Sequence, residues 1–165
     1  MGYSISIGEW EKPRKGSEDT VGSVTSVHLE EAPAFGEPTD YTNARWPSYS
    51  GWANFLKETG LEWLSPRTSH EFKGEDVRRG IPALMVEHPG VSPVLPVHLA
   101  AIEEALVTYR AKIGLDKQPG WPVDMKGAAV AGAEHLDGNL ARLTWLRFWV
   151  KWALENCRNP VLLNT

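Results

Sequence analysis

The segment Leu140-Ala141-Arg142-Leu143-Thr144-Trp145-Leu146-Arg147-Phe148-Trp149-Val150-Lys151-Trp152-Ala153-Leu154 constrains this chain more than any other. At 3.6 residues per turn, Arg147, Lys151, Glu155 and Arg158 fall on one line. Leu140, Leu143, Leu146, Val150 and Leu154 form a second face, and Trp145, Phe148, Trp149 and Trp152 a third. A helix apolar around so much of its circumference has to be covered. The cover is the rest of the chain, a second subunit, or in part a ligand.

The 165 residues suffice for one domain burying about two thirds of its unfolded surface. We divide it into a β-hairpin region over 1–30, a loop-rich region with one helix over 31–95, and a helical core over 96–165. A hydrophobic fraction of 42% with 23% charged residues suits a water-soluble globule. No apolar run reaches the roughly 18 to 20 residues that span a bilayer. The N-terminus lacks a secretory pattern. Gly2 with Ser6 meets the loose myristoylation pattern, a match short enough to arise by chance. The single cysteine, Cys157, precludes an intramolecular disulfide and agrees with a reducing, cytoplasmic setting. Net charge is −4, concentrated in residues 1–40, which hold three basic and eight acidic groups. That balance excludes a general nucleic-acid polymer binder, which needs clustered Lys and Arg, but leaves room for a small anion held by one or two arginines.

Tyr3, Ile5 and Ile7 alternate with Ser4, Ser6 and Gly8 at the period of a half-buried strand, and Val21 to Leu29 reads as its hairpin partner. Two strands alone are marginal in water, so they are expected to lie on helices. Ser50 is expected to cap a helix from Gly51 to Thr59 that stops at Gly60. Residues 65–95 read as loop with a short extended run at Ala83 to Val86. Pro96 suits the first turn of a helix in which Leu99, Ile102, Leu106, Tyr109 and Ile113 recur at spacings of three and four before Gly114. Gly120-Trp121-Pro122 marks a turn. The Gly and Ala run from Gly127 to Ala133 suggests close helix packing, and Asp137 fits as cap of the terminal helix. The class is α+β, helix-dominated: an N-terminal two-stranded β element followed by, and packed on, three to four helices.

Chemistry is sparse. His28, His70, His88, His98 and His135 show no metal-binding spacing; most read as loop or surface imidazoles, and His98 lies in a helix's first turn. The glycine run lacks the Lys and Ser or Thr of a phosphate loop. No nucleophile elbow occurs. Cys157, near the end of an apolar helix, reads as a small buried residue. The adjacent pairs Glu103-Glu104 and Glu75-Asp76 suit a solvated surface. No catalytic motif and no cofactor signature stand out.

One composition is unusual. Tyr41, Asn43, Arg45, Trp46 and Tyr49 share a loop, Arg78 and Arg79 share another, and Trp121 sits between glycine and proline. Aromatic faces stack on nucleobases and arginine forks grip phosphates. The plainer reading has Trp46, Tyr49 and Trp121 capping the core and the arginines in solvent.

Three stretches carry a resemblance: Tyr3-Ser4-Ile5-Ser6-Ile7-Gly8-Glu9, Tyr41-Thr42-Asn43 leading into the Trp52 helix, and the helix pair ending in Trp121 and in Cys157-Arg158-Asn159-Pro160. Together they resemble a family of small uncharacterised proteins of tailed phages and prophages. Relative to that pattern Asp124 to Leu136 looks inserted. The resemblance implies a phage context in a bacterial cytoplasm and no catalytic residue. The functional expectation is a non-enzymatic binding protein that sequesters a small nucleotide-derived immune signal, such as a cyclic nucleotide. The alternative is a protein-interaction module, homo-oligomeric or bound to a host protein through Trp145, Phe148, Trp149 and Trp152. A nucleotide-processing enzyme ranks third.

Overall fold

A computed structural model describes residues 2–11, 23–25, 47–65, 82–85, 88–124 and 126–165, those at 23–25 by their backbone. Strand β1, Ile5–Glu11, buries Ile5 and Ile7 on one face. It pairs antiparallel with β2, Ser23–Thr25, in the register Glu9 with Thr25. This is the hairpin the alternation implies.

Helix α1, Tyr49–Thr59, starts two residues earlier than expected because Ser48 and not Ser50 is its cap, its Oγ accepting from the Gly51 amide at 3.0 Å. Gly60, at φ 71°, ends it, its amide turning back to the Leu56 and Lys57 carbonyls. A 3₁₀ turn over Glu62–Leu64 follows. Helix α2, Pro96–Ile113, has the expected limits, with Pro96 in its first turn. Helix α3, Gly138–Asn156, begins where Asp137 accepts from the Leu140 amide at 2.8 Å. The short strands β4, Gln118–Pro119, and β5, Leu136–Asp137, pair in parallel ahead of it.

The expected order, strands first and helices after, needs correction. Strand β3, Gly90–Pro93, lies between α1 and α2, and β6, Pro160–Asn164, follows α3. They extend the hairpin to a four-stranded antiparallel sheet in the order β2-β1-β6-β3. The last strand in the sequence is thus an inner one. Val161 and Leu162 are both buried although they point to opposite faces, so β6 shows no alternation to betray it. The extended run expected at Ala83 to Val86 is not a strand over Ala83–Met85, and Val86 lies outside the described residues. The edge strand nearby ends on Pro93. Because the Val94 amide bonds the Pro160 carbonyl, Pro93 faces away from β6 and its missing N–H costs the ladder nothing.

Leu140, Leu143, Leu146 and Val150 of α3 meet Ile102 and Ala105 of α2, Trp52, Phe55 and Leu56 of α1, and Ile5, Ile7 and Leu162 of the sheet in one apolar cluster. The polar line of α3 stays outside: Arg147 Nε reaches Glu103 of α2 at 3.0 Å, and Lys151 faces Glu155. The glycine run, expected to admit close helix packing, is instead an exposed loop. Gly127 at φ 82° and Gly132 at φ 73° are there for left-handed turns, since a Cβ at either meets nothing within 4 Å. The close approach is at Gly138, where a Cβ would stand 2.5 Å from the Trp121 ring.

Candidate functional site

The chain before α1 is pinned to the start of the sheet. The Tyr3 amide donates to the Pro47 carbonyl at 2.9 Å, and Gly2 bridges Ser48 so closely that a Cβ on Gly2 would overlap that carbonyl. Tyr49, first residue of α1, therefore emerges beside Tyr3. Their rings meet edge to face with centroids 4.7 Å apart.

His88 completes the cluster from the loop before β3, its ring 4.9 Å from Tyr3 and 5.6 Å from Tyr49, again edge to face. Its Nδ1 lies 2.8 Å from Oδ1 of Asn164, a fully buried residue of β6, and its Nε2 lies 3.0 Å from the Tyr49 hydroxyl. An amide oxygen can only accept, so Nδ1 donates to it; in the neutral ring this leaves Nε2 to accept from the Tyr49 hydroxyl. Tyr49 and His88 stay exposed, Tyr49 at 38%. Burial, with Tyr49 adding, raises the Tyr3 phenol above its ordinary value, so it is neutral at physiological pH. Trp52 underlies the group, 6.5 Å from Tyr3. The result is a fixed aromatic surface with one hydrogen-bonded line running from solvent into the sheet.

Of the residues singled out from the sequence, Tyr49 lies in this cluster. Tyr41, Asn43, Arg45, Trp46, Arg78 and Arg79 lie outside the described residues. Trp121 is half-buried against Gly138, and the Arg142 guanidinium sits 5.1 Å from its ring and 5.5 Å from that of Phe55. Arg142 is 5% exposed, and burial pushes its pKa down to about 10, which still leaves it cationic at neutral pH.

In α3, Trp145 and Trp149 are 2% exposed and belong to the core of this chain. Phe148 and Trp152 pack edge to face on Trp149, at 4.8 and 5.7 Å, and are half-buried.

Elsewhere, a groove of about 440 Å³ runs between the end of α1 and α2, lined by Thr59, Leu61, Trp63, Ala101, Glu104 and Thr108 among others. Among the described residues no three His, Cys, Asp or Glu are grouped to hold a metal ion, and no helix is long and apolar enough to cross a membrane. Burial, and then Glu9, push the Cys157 thiol up, away from the thiolate that a nucleophile needs.

Two histidines have partners that the sequence reading does not supply. His98 lies in the first turn of α2 as expected, and it is fully buried and holds that start: Nδ1 accepts from the Leu95 amide at 3.0 Å and Nε2 donates to the Pro82 carbonyl at 2.7 Å. His88 is exposed as expected, but its partners are Tyr49, 39 residues away, and Asn164, 76 residues away, which no local pattern links. Comparison with family models, with curated proteins and with solved structures finds no match for this chain.

Proposed function

We propose that the protein binds a small, planar, nucleotide-like ligand on the Tyr3, Tyr49 and His88 face and sequesters it without hydrolysis, in keeping with a phage-type protein that removes a nucleotide-derived immune signal. The observation that carries this reading is the fixed geometry of Tyr49. Its hydroxyl is tied to His88 and its ring is braced by Tyr3, so an exposed aromatic surface is presented with little side-chain entropy left to lose on binding. The same residue ends the stretch holding Tyr41, Asn43, Arg45 and Trp46, which supplies further aromatic and cationic groups of the kind that stacks on a base and neutralises phosphate. Arg78 and Arg79 are the second source of positive charge in this reading.

Native mass spectrometry of the purified chain with a pool of mono-, di- and cyclic nucleotides tests it. A retained, unaltered nucleotide is expected, with affinity falling about tenfold or more in Tyr49→Ala, the loss of one stacked base at 1 to 3 kcal/mol. No retained nucleotide, or equal retention by Tyr49→Ala, Trp46→Ala and Arg78→Ala, removes the reading. The alternative, a protein interface on α3, rests on the half-buried Phe148 and Trp152, because Trp145 and Trp149 are spent inside the chain.

A further inference from the structure

We infer that Tyr49, His88 and Asn164 form a nucleophile, base and orienting residue able to take an acyl group from an activated ester. The inference rests on their hydrogen bonds and is independent of the ligand reading above. Covalent catalysis by a hydroxyl needs a base within hydrogen-bond reach and a third group that fixes the base's tautomer. Tyr49 Oη to His88 Nε2 at 3.0 Å meets the first requirement, and His88 Nδ1 to Asn164 Oδ1 at 2.8 Å the second. Access is given at the reactive end, where Tyr49 and His88 are exposed, while Asn164 is fully buried in β6 and cannot drift.

In the first step Oη attacks the carbonyl carbon and the O–C bond forms. The phenolic proton passes to Nε2, and the bond to the leaving oxygen breaks, that oxygen taking the proton from the imidazolium or departing as an anion, in which case the imidazolium gives its proton to bulk water. Water then attacks the acyl-tyrosine and gives a proton to neutral Nε2, the acyl carbon–Oη bond breaks, and the tyrosine oxygen takes that proton from the imidazolium as the carboxylic acid leaves. Asn164 is a positioning residue. Being neutral, it orients the imidazole without the added charge stabilisation of a carboxylate, so the acyl-enzyme is expected to accumulate.

The test is reaction of the full chain with p-nitrophenyl acetate, followed by intact mass and peptide mapping. The expected result is a burst of about one equivalent of p-nitrophenolate with a single acetyl group on Tyr49. Tyr49→Phe should abolish the burst, and His88→Gln should slow it at least about tenfold. Both replace exposed side chains, and a cooperative melt confirms that each folds. Asn164→Asp, which restores a carboxylate behind the imidazole, should react faster than the parent, and Asn164→Leu slower; a merely structural Asn164 would give no gain in the Asp variant. Acetylation confined to lysines or the N-terminus overturns the inference, as does a burst of parental rate in His88→Gln.

Discussion

His98 shows how much a single side chain can fix. Its two nitrogens join the amide that precedes α2 to the Pro82 carbonyl, and burial lowers its pKa below the ordinary 6.5. The sign follows from linkage. Below about pH 6.5 the unfolded chain takes up a proton that the folded chain resists, so stability is complete above that value and falls as pH drops toward the lowered folded pKa. Thermal melts between pH 7.5 and 5, roughly the range in which a histidine titrates, should show a falling midpoint. The drop should be smaller in His98→Gln, which has no titrating ring and at neutral pH is itself less stable by about 1 to 3 kcal/mol from a buried group left unpaired. A drop of the same size in both proteins would assign the acid sensitivity elsewhere. Neither nitrogen's partner follows a sequence pattern. That His98 stands in a first turn was legible, whereas its burial depends on the loop at Pro82 folding over it.

At the scale of the element, α3 answers the question its composition raises. An aromatic helix of this kind is either core or interface, and Trp145 and Trp149 are core. Trp149→Ala should cost about 3 to 5 kcal/mol in chemical denaturation, the range for emptying a buried aromatic site. Trp149→Asp should yield insoluble or unfolded chain, while a soluble, cooperatively folded Asp variant of altered oligomeric state would restore the interface reading. The cap matters in a second way. Asp137 accepts from the Leu140 amide and also from the Tyr109 hydroxyl, at 3.1 and 3.2 Å to its two oxygens, so it ties the start of α3 to α2. Asp137→Ala should therefore lose more than the roughly 1 kcal/mol of an isolated cap. Asp137→Asn, which keeps an acceptor, should recover most of it; equal losses in a urea titration would show that the Tyr109 link contributes nothing. The cap and periodicity of α3 and the limits of α2 were legible in the residues because each is a local matter of spacing and side-chain reach. The shift of the α1 cap from Ser50 to Ser48 is a case of two serines equally suited by type, decided by where the chain meets Tyr3.

Across the whole molecule, the two ends of the chain are one structure. Residues Pro160–Asn164 lie between β1 and β3, and the Glu9 carboxylate accepts from the Arg158 and Asn159 amides at 2.6 and 3.0 Å, closing the turn after α3 onto β1. Removing residues 160–165 should deprive β1 and β3 of their shared neighbour and abolish the cooperative transition by circular dichroism. A truncated chain melting like the parent would mean that the helices alone hold the fold. What the sequence by itself determined is the local order: the β1–β2 hairpin, the limits of α2, the Asp137 cap, and an α3 that must be covered. Those follow from periods of 2 and 3.6 and from capping chemistry, which act over a few residues. Tertiary structure alone decided that β6 is an inner strand, that the Trp145 and Trp149 indoles of α3 are inside, and that Tyr49, His88 and Asn164 meet. These are encounters between residues tens of positions apart, set by packing and chain closure, and no local pattern of side chains records them.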